Sequence, residues 1–123
     1  MVSFKKNKKK DINYLELTPY KKHSHEINEK GRVDVLVPRF DNKLLEKIFI
    51  PKSKSKFIKA NLDEFGSETW LLIDGENKVR DLAELLKSKF GDRIHPVYNR
   101  LTLFLTQLHK NGFIDFLEFK KDR

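Results

Sequence analysis

The sequence lacks cysteine altogether, and this excludes disulfide bonds, thiolate nucleophiles and thiolate metal sites. It also lacks any apolar run near the ~18 consecutive residues that a membrane-spanning helix requires. The lysine-rich start leads into polar residues rather than into the apolar stretch of a signal peptide. We therefore expect a cytoplasmic protein with no membrane span.

Acidic residues are missing from two short segments that hold most of the excess positive charge. Residues 1–10 carry five lysines and residues 51–60 carry four, in a chain whose formal net charge is +8. Residues 1–12 have no apolar periodicity, which predicts a disordered basic arm that either solubilises the chain or contacts nucleic acid or a membrane surface. Residues 13–30 are predicted to be a polar lead-in with one short strand or helix at most, and residues 120–123 a charged tail.

Strand patterns begin after this lead-in. The stretch "RVDVLVPRF" is rich in β-branched residues and predicts a strand that ends near Pro38. Two apolar runs follow, at 48–50 and 57–60, and the Pro-Lys-Ser-Lys-Ser-Lys connection between them predicts a hairpin with a basic turn. The stretch "NKLLEKIF" fits the start of a short helix equally well.

Three amphipathic helices are predicted beyond Asn61. The first begins at Asn61 or Asp63, because either side chain can accept hydrogen bonds from the free backbone N–H groups of the first helical turn. It ends at Asp74-Gly75. The second ends at Gly91, and its apolar residues recur at helical spacing: Val79, Leu82, Ala83, Leu86 and Phe90. The third runs from Pro96 to Asn111-Gly112 with a comparable stripe: Val97, Leu101, Phe104, Leu105 and Leu108.

A closing strand is predicted over "FIDFLEF", from Phe113 onward. Together these elements predict an α+β domain over residues 31–119 that is winged-helix-like. In this fold an N-terminal three-stranded sheet packs on a three-helix bundle, and a short C-terminal strand follows.

None of the polar side chains near the first helix predicts catalysis. Glu64 and Glu68 are four residues apart on one exposed helix side, and acidic residues in a first turn interact favourably with the helix dipole, so we interpret them and Asp63 as helix-start chemistry. Ser67 has no neighbouring histidine and no nucleophile-elbow pattern, while Trp70 is predicted to be a core residue. We predict a protein that is not an enzyme.

His23 and His25 form a His-Ser-His step that would need a third ligand from elsewhere to hold a metal. No other ligand cluster is visible in the sequence, so we interpret both as surface histidines. We predict no metal and no cofactor.

The segment "LDEFGSETWLLIDGENKVRDLAELLKSKF" resembles the PqqD family, named for coenzyme PQQ synthesis protein D. The resemblance extends over about residues 34–119 and is densest at 62–90. It implies a small non-enzymatic domain of three strands on three helices. It also implies a peptide-recognition role, in which such domains bind the leader part of a precursor peptide and deliver it to a modifying enzyme, commonly a radical SAM protein.

The resemblance implies that the leader is held as an added strand on the third strand, with its side chains against the third helix. An exposed strand edge suits this role because it offers unpaired N–H and C=O groups. Lys52 and Lys54 would attract an acidic peptide, although lysines near an edge also discourage unwanted pairing. The residues predicted to bind the peptide are Lys56, Phe57, Ile58, Lys59, Ala60, Tyr98, Thr102, Leu105 and His109.

Two alternatives to the peptide adaptor stay open from the sequence. A DNA-binding winged helix would use the polar residues of the third helix, of which Asn99, Arg100, Gln107 and Lys110 are the main ones. A structural or regulatory subunit would apply the same surface to another protein. Either a monomer or a homodimer is compatible with the pattern.

Overall fold

The computed structural model describes residues 13–39 and 57–120, which divide into two compact units. Within the described residues, the sheet unit comprises 23–39 and 57–70, and the helical unit comprises 13–22 and 71–120. The predicted basic arm, the predicted strand at 48–50, Lys52, Lys54 and Lys56 lie outside the described residues.

The predicted mixed α+β class is confirmed, with four helices and two antiparallel sheets in the described part of the chain. Short 3₁₀ turns occupy Tyr14–Glu16 and Gly91–Ile94. No helix within 13–39 and 57–120 is long and apolar enough to cross a membrane. In chain order the elements are β1 (Pro19–Lys21), β2 (His25–Ile27), β3 (Val33–Pro38), β4 (Phe57–Asn61), α1 (Glu64–Leu72), α2 (Val79–Phe90), α3 (Val97–Lys110), β5 (Ile114–Phe116) and α4 (Leu117–Lys120).

The sheet unit contains a three-stranded antiparallel sheet in the order β2-β3-β4. Its central strand is the β-branched stretch predicted from the sequence, and Val33 and Val35 have no exposed surface. A tight turn joins β2 to β3, since the Gly31 N–H donates to the Asn28 carbonyl at 2.9 Å. Gly31 has φ 78°, a conformation that glycine adopts without steric cost.

The strand β2 corrects the interpretation of residues 13–30 as an irregular lead-in with one element at most. These residues form a 3₁₀ turn and two strands instead. The predicted hairpin stays a prediction, because its first run, at 48–50, lies outside the described residues; the described partner of β4 is β3, with Leu36 opposite Lys59. Three-residue strands are too short to show a period of two, and for that reason the sequence did not reveal them.

The start of α1 is tied to β3 by side chains. The Asp63 carboxylate accepts the Gly66 N–H at 2.8 Å, which confirms the predicted helix-start role. The Ser67 hydroxyl accepts the buried Val33 N–H at 2.8 Å, so this serine serves the main chain of the central strand. Trp70 is fully buried, as predicted, and its indole N–H donates to His25 Nδ1 at 3.1 Å.

The helical unit contains α2 and α3, which follow their predicted stripes closely. All five predicted apolar residues of α2 are buried. In α3 the buried residues are Val97, Leu101, Leu105 and Leu108, while Phe104 is partly exposed. The helices end at glycines with positive φ, Gly91 at 60° and Gly112 at 80°, as the sequence indicated.

The N-terminal strand of the helical unit pairs with its C-terminal strand, β1 with β5. Thr18 links the N-terminal segment to the C-terminal segment, because its N–H and its hydroxyl donate to the two carboxylate oxygens of Glu118 at 2.7 and 2.8 Å. Burial raises the pKa of Glu118, but the hydrogen bonds from Thr18 outweigh that effect and leave the pKa below its usual value. Residues 13–22 are therefore an integral part of this unit.

The predicted closing strand is shorter than expected and is followed by a helical turn. Strand β5 ends at Phe116, and α4 begins at Leu117. The side-chain bonds from Thr18 to Glu118 and the bond from the Leu117 N–H to the Thr18 carbonyl (2.9 Å) favour this turn. These contacts join residues about a hundred positions apart, so local pattern could not indicate them.

Candidate functional site

The strand β4 lies at one edge of the three-stranded sheet, and no described strand pairs with its outer side. It carries four of the residues predicted to bind peptide, Phe57 to Ala60. Phe57 is 41% exposed and Ile58 is 48% exposed, although they lie on opposite faces of the strand. The strand therefore exposes large apolar side chains on both faces.

The hydrogen-bond ladder determines which backbone groups of β4 point outward. The Leu62 N–H donates to the Val33 carbonyl at 2.9 Å, so the backbone groups of these two residues point toward each other, as they do in a hydrogen-bonded pair. Hydrogen-bonded and non-hydrogen-bonded pairs alternate along an antiparallel ladder, and Ala60 is therefore bonded to β3. Lys59 and Asn61, in the intervening positions, direct their N–H and C=O groups away from β3, toward the outer edge.

The side chain of Lys59 crosses the sheet. Its ammonium lies 2.7 Å from the carboxylate of Glu26, which belongs to β2 on the far side of β3. The hydrogen bond with Glu26 raises the pKa of Lys59 above its usual value. Because the ammonium is directed toward β2, Lys59 does not shield the outer edge of β4 in the way that an edge-protecting lysine would.

A buried carboxylate fixes the end of β4. Asp34 Oδ1 accepts hydrogen bonds from the side-chain amides of Asn61 (2.6 Å) and Asn28 (2.9 Å). The bond from Asn61, followed by that from Asn28, lowers the pKa of Asp34 below its usual value. This carboxylate links β3 both to the β2–β3 turn and to the last residue of β4.

We expect Asp34→Asn to lower stability at neutral pH and to lose this effect in acid. The pKa of Asp34 is depressed in the folded state, so its contribution is present above the unfolded value of ~3.9 and disappears as pH falls through the lower folded pKa. Urea unfolding of both proteins between about pH 7 and pH 2 measures the difference. Glu29→Gln, in the exposed turn, is the control, and a difference that does not change with pH would contradict the prediction.

The predicted residues on α3 belong to the helical unit and differ in exposure. Tyr98 is exposed and its hydroxyl contacts Glu84 at 3.2 Å, while the Thr102 hydroxyl donates to the Tyr98 carbonyl of its own helix. His109 is partly exposed, and its Nε2 lies 3.3 Å from the Asp115 carboxylate. Leu105 is a correction, because at 0% exposure it is a core residue at the centre of the buried stripe and not a surface contact.

One exposed apolar residue of α3 lies away from the predicted contacts. Leu103 is 62% exposed, in agreement with its position off the buried stripe. Tyr98, Thr102 and His109 belong to the helical unit and β4 to the sheet unit, and the participation of these three residues in one site with β4 stays a prediction.

Residues of β2 contribute to this region without having been predicted. Glu26 forms an ion pair with Lys59. His25 accepts a hydrogen bond from the Trp70 indole N–H, so it is not the simple surface histidine that the sequence suggested. The Asn and Gly residues between the two strands were the available signal for a hairpin. Within 13–39 and 57–120, no group of three or more His, Cys, Asp or Glu side chains is placed to hold a metal.

These features define a small mixed α+β protein in which the edge strand β4 has outward backbone groups and exposed apolar side chains. Residues 54–114 match the family model described as coenzyme PQQ synthesis protein D (PqqD), and over this segment the chain belongs to that family. No curated protein and no solved structure matches the chain. The resemblance predicted from the sequence is thus confirmed.

The PqqD family consists of non-catalytic accessory proteins that bind a peptide in coenzyme PQQ synthesis. The matched segment includes β4, all of α1 to α3 and the first residue of β5. It does not include β1, β2 or β3. The residues that match the family model thus contain the edge strand β4 but not the two other strands of its sheet, β2 and β3.

Proposed function

We propose that this protein is a non-catalytic adaptor that captures a precursor peptide as an added strand along β4. The peptide would then be presented to a modifying enzyme, such as a radical SAM protein, in the cytoplasm. The observation that carries this proposal is the outward direction of the Lys59 and Asn61 backbone groups on an edge strand. Membership of the PqqD family supports the same role.

The energetics of the edge favour reversible capture. Each backbone hydrogen bond contributes a net ~0.5–1.5 kcal/mol, and apolar burial adds about 25 cal/mol per Å². Phe57 and Ile58 supply exposed apolar surface on the two faces of the strand. Ordering a flexible peptide opposes these gains, so selectivity must come from side chains beside the strand.

On α3, the predicted contacts Tyr98, Thr102 and His109 remain part of the proposal, as the family resemblance implies, while Leu105 does not. The DNA-binding alternative gains no support from α3, because the Arg100 guanidinium donates to the Arg93 carbonyl of its own chain at 3.0 Å. Salt-sensitive binding of duplex DNA would revive that alternative. Whether the chain is a monomer or a homodimer stays a prediction.

Lys59→Pro is expected to weaken peptide binding at least tenfold while leaving the sheet intact. Proline removes the outward N–H of residue 59, and an edge strand tolerates it there because that N–H does not belong to the ladder with β3. Removing one donor also leaves a partner carbonyl unpaired, which costs ~1–3 kcal/mol. Titration of the ¹⁵N-labelled protein with the leader region of a precursor peptide encoded nearby measures the affinity.

Lys59→Thr is the matched control, since it removes the same side chain and retains the N–H. We expect it to bind more tightly than Lys59→Pro. Equal affinity of the two variants, with both folded, would contradict strand addition on β4. Absence of amide shifts in β4 and α3 of the unmodified protein at saturating peptide would exclude the adaptor function with that peptide.

A further inference from the structure

The edge of β4 has a register and a charge pattern that define the chemistry of its partner. We propose that β4 selects a peptide in which an acidic residue stands between two apolar residues, with the acidic side chain opposite Lys59. This inference rests on the proposed function and concerns which peptides the edge accepts.

The ladder fixes the positions of the partner's side chains. A partner residue that exchanges N–H···O=C bonds with Lys59 lies directly opposite it, at a Cα separation of about 5.5 Å in an antiparallel pair. Its side chain falls on the same face of the sheet as that of Lys59, because side chains of paired residues share a face. The residues before and after it fall on the opposite face, beside Ile58 and Ala60.

The face that carries Ile58 and Ala60 is the apolar face of the sheet. Val35 is paired with Ala60 and has no exposed surface, and Val37 is paired with Ile58. Ile58 remains 48% exposed at the margin of this face. An added strand would cover that surface, so its two side chains on this face are favoured when they are apolar.

The other face carries a short row of charge. Glu26 on β2 and Lys59 on β4 form an ion pair across β3, and the side chain of Lys59 is still 56% exposed. A peptide carboxylate opposite Lys59 would place the Lys59 ammonium between two carboxylates, that of Glu26 on β2 and that of the peptide. Cross-strand pairs of opposite charge stabilise a sheet, whereas like charges directly opposite destabilise it, so a basic residue at this position is disfavoured.

The same argument disfavours a second copy of this chain as the occupant. If two β4 strands paired through the outward groups of Lys59, the two Lys59 side chains would lie opposite each other. The chain also carries a net charge of +8, which opposes self-association and attracts an acidic peptide. Long-range attraction of this kind weakens as ionic strength rises.

A set of three synthetic peptides tests the inference. They share the capped pattern Val-Thr-Val-X-Val-Thr-Val and carry Glu, Gln or Lys at X. We expect affinity to fall in the order Glu, Gln, Lys, with about a tenfold difference between the extremes, because two cross-strand effects of up to ~1 kcal/mol each are compared. Dissociation constants follow from titrations of the ¹⁵N-labelled protein at low salt.

The double variant Lys59→Glu with Glu26→Lys keeps the intramolecular ion pair and exchanges its charges. It is expected to reverse the order, so that the Lys peptide binds most tightly. Lys22→Glu, in the helical unit, serves as the control for net charge and should leave the order unchanged. A reversal with the double variant but not with Lys22→Glu would assign the selectivity to residue 59.

The remaining outcomes separate this inference from the proposed function. Equal binding of all three peptides on β4 would overturn the acidic preference and leave strand addition intact. Failure of all three peptides and of a precursor leader to bind would overturn both. Self-association of the free protein that Lys59→Pro abolishes, measured by sedimentation, would identify a second copy as the occupant and overturn the peptide inference.

Discussion

Replacing Trp70 by alanine is expected to lower the free energy of unfolding by about 3–5 kcal/mol, the range for removal of a large buried aromatic side chain. Trp70 has no exposed surface, and its ring meets that of His25 edge to face, with centroids 6.3 Å apart. Typical domains have only ~5–15 kcal/mol of total stability, so this variant would be close to unfolding at room temperature. Urea unfolding followed by far-UV circular dichroism measures the loss.

Two control variants separate the contributions of the buried ring and of the indole hydrogen bond to the free energy of unfolding. Trp70→Phe keeps most of the buried ring but removes the indole N–H that His25 Nδ1 accepts, so we expect a smaller loss. Leu71→Ala changes the next residue of the helix, which is 45% exposed, and should cost less than either. A loss from Leu71→Ala as large as that from Trp70→Ala would contradict the core role of Trp70.

Phe116→Ala is expected to have a comparable effect on the helical unit, about 3–5 kcal/mol. Phe116 is 1% exposed, and its ring lies edge to face against the rings of Tyr14, His109 and Phe119, with centroids 5.2–5.7 Å away. Tyr14 belongs to the N-terminal 3₁₀ turn and His109 to α3, so one ring joins both ends of the unit. Its removal would loosen the pairing of β1 with β5.

Hydrogen exchange provides the local measurement for Phe116→Ala. The Lys22 N–H donates to the Phe113 carbonyl at 2.9 Å, next to the paired strands, and should exchange faster in the variant. Phe119→Ala is the control, since Phe119 contacts the same cluster while remaining partly exposed. Equal protection of Lys22 in Phe116→Ala and the unmodified protein would show that the ring does not join β1 to β5.

The helices were predictable because their signals are local. In α2, five apolar residues at helical spacing and the glycine that follows them lie within thirteen consecutive positions, and all five are buried. The short strands were not predictable in this way. The strand β1 has only three residues and its partner β5 lies near the other end of the chain, so neither period nor proximity identified the pair.

The strand that carries the candidate site was predictable, but its side-chain contacts were not. The apolar run at 57–60 and the family resemblance placed the edge strand correctly, since β4 begins at Phe57. The sequence did not indicate that Lys59 reaches Glu26, because that contact depends on β2, which was missed. The sequence analysis placed Leu105 on the apolar stripe and also among the peptide contacts, and only the first of these agrees with its burial beside Leu101 and Leu108.

The strand β4 depends on residues that lie outside the family segment. Residues 54–114 contain the outer edge, but β3 and the Asp34 carboxylate that hold β4 lie upstream of them. A fragment trimmed to the family segment would leave β4 without its described neighbour, and the buried Ser67 hydroxyl without the Val33 N–H that it accepts. Under the proposed function, peptide choice would therefore be tuned from outside the family segment, through upstream substitutions such as those at Glu26 that alter the edge without changing one residue of it.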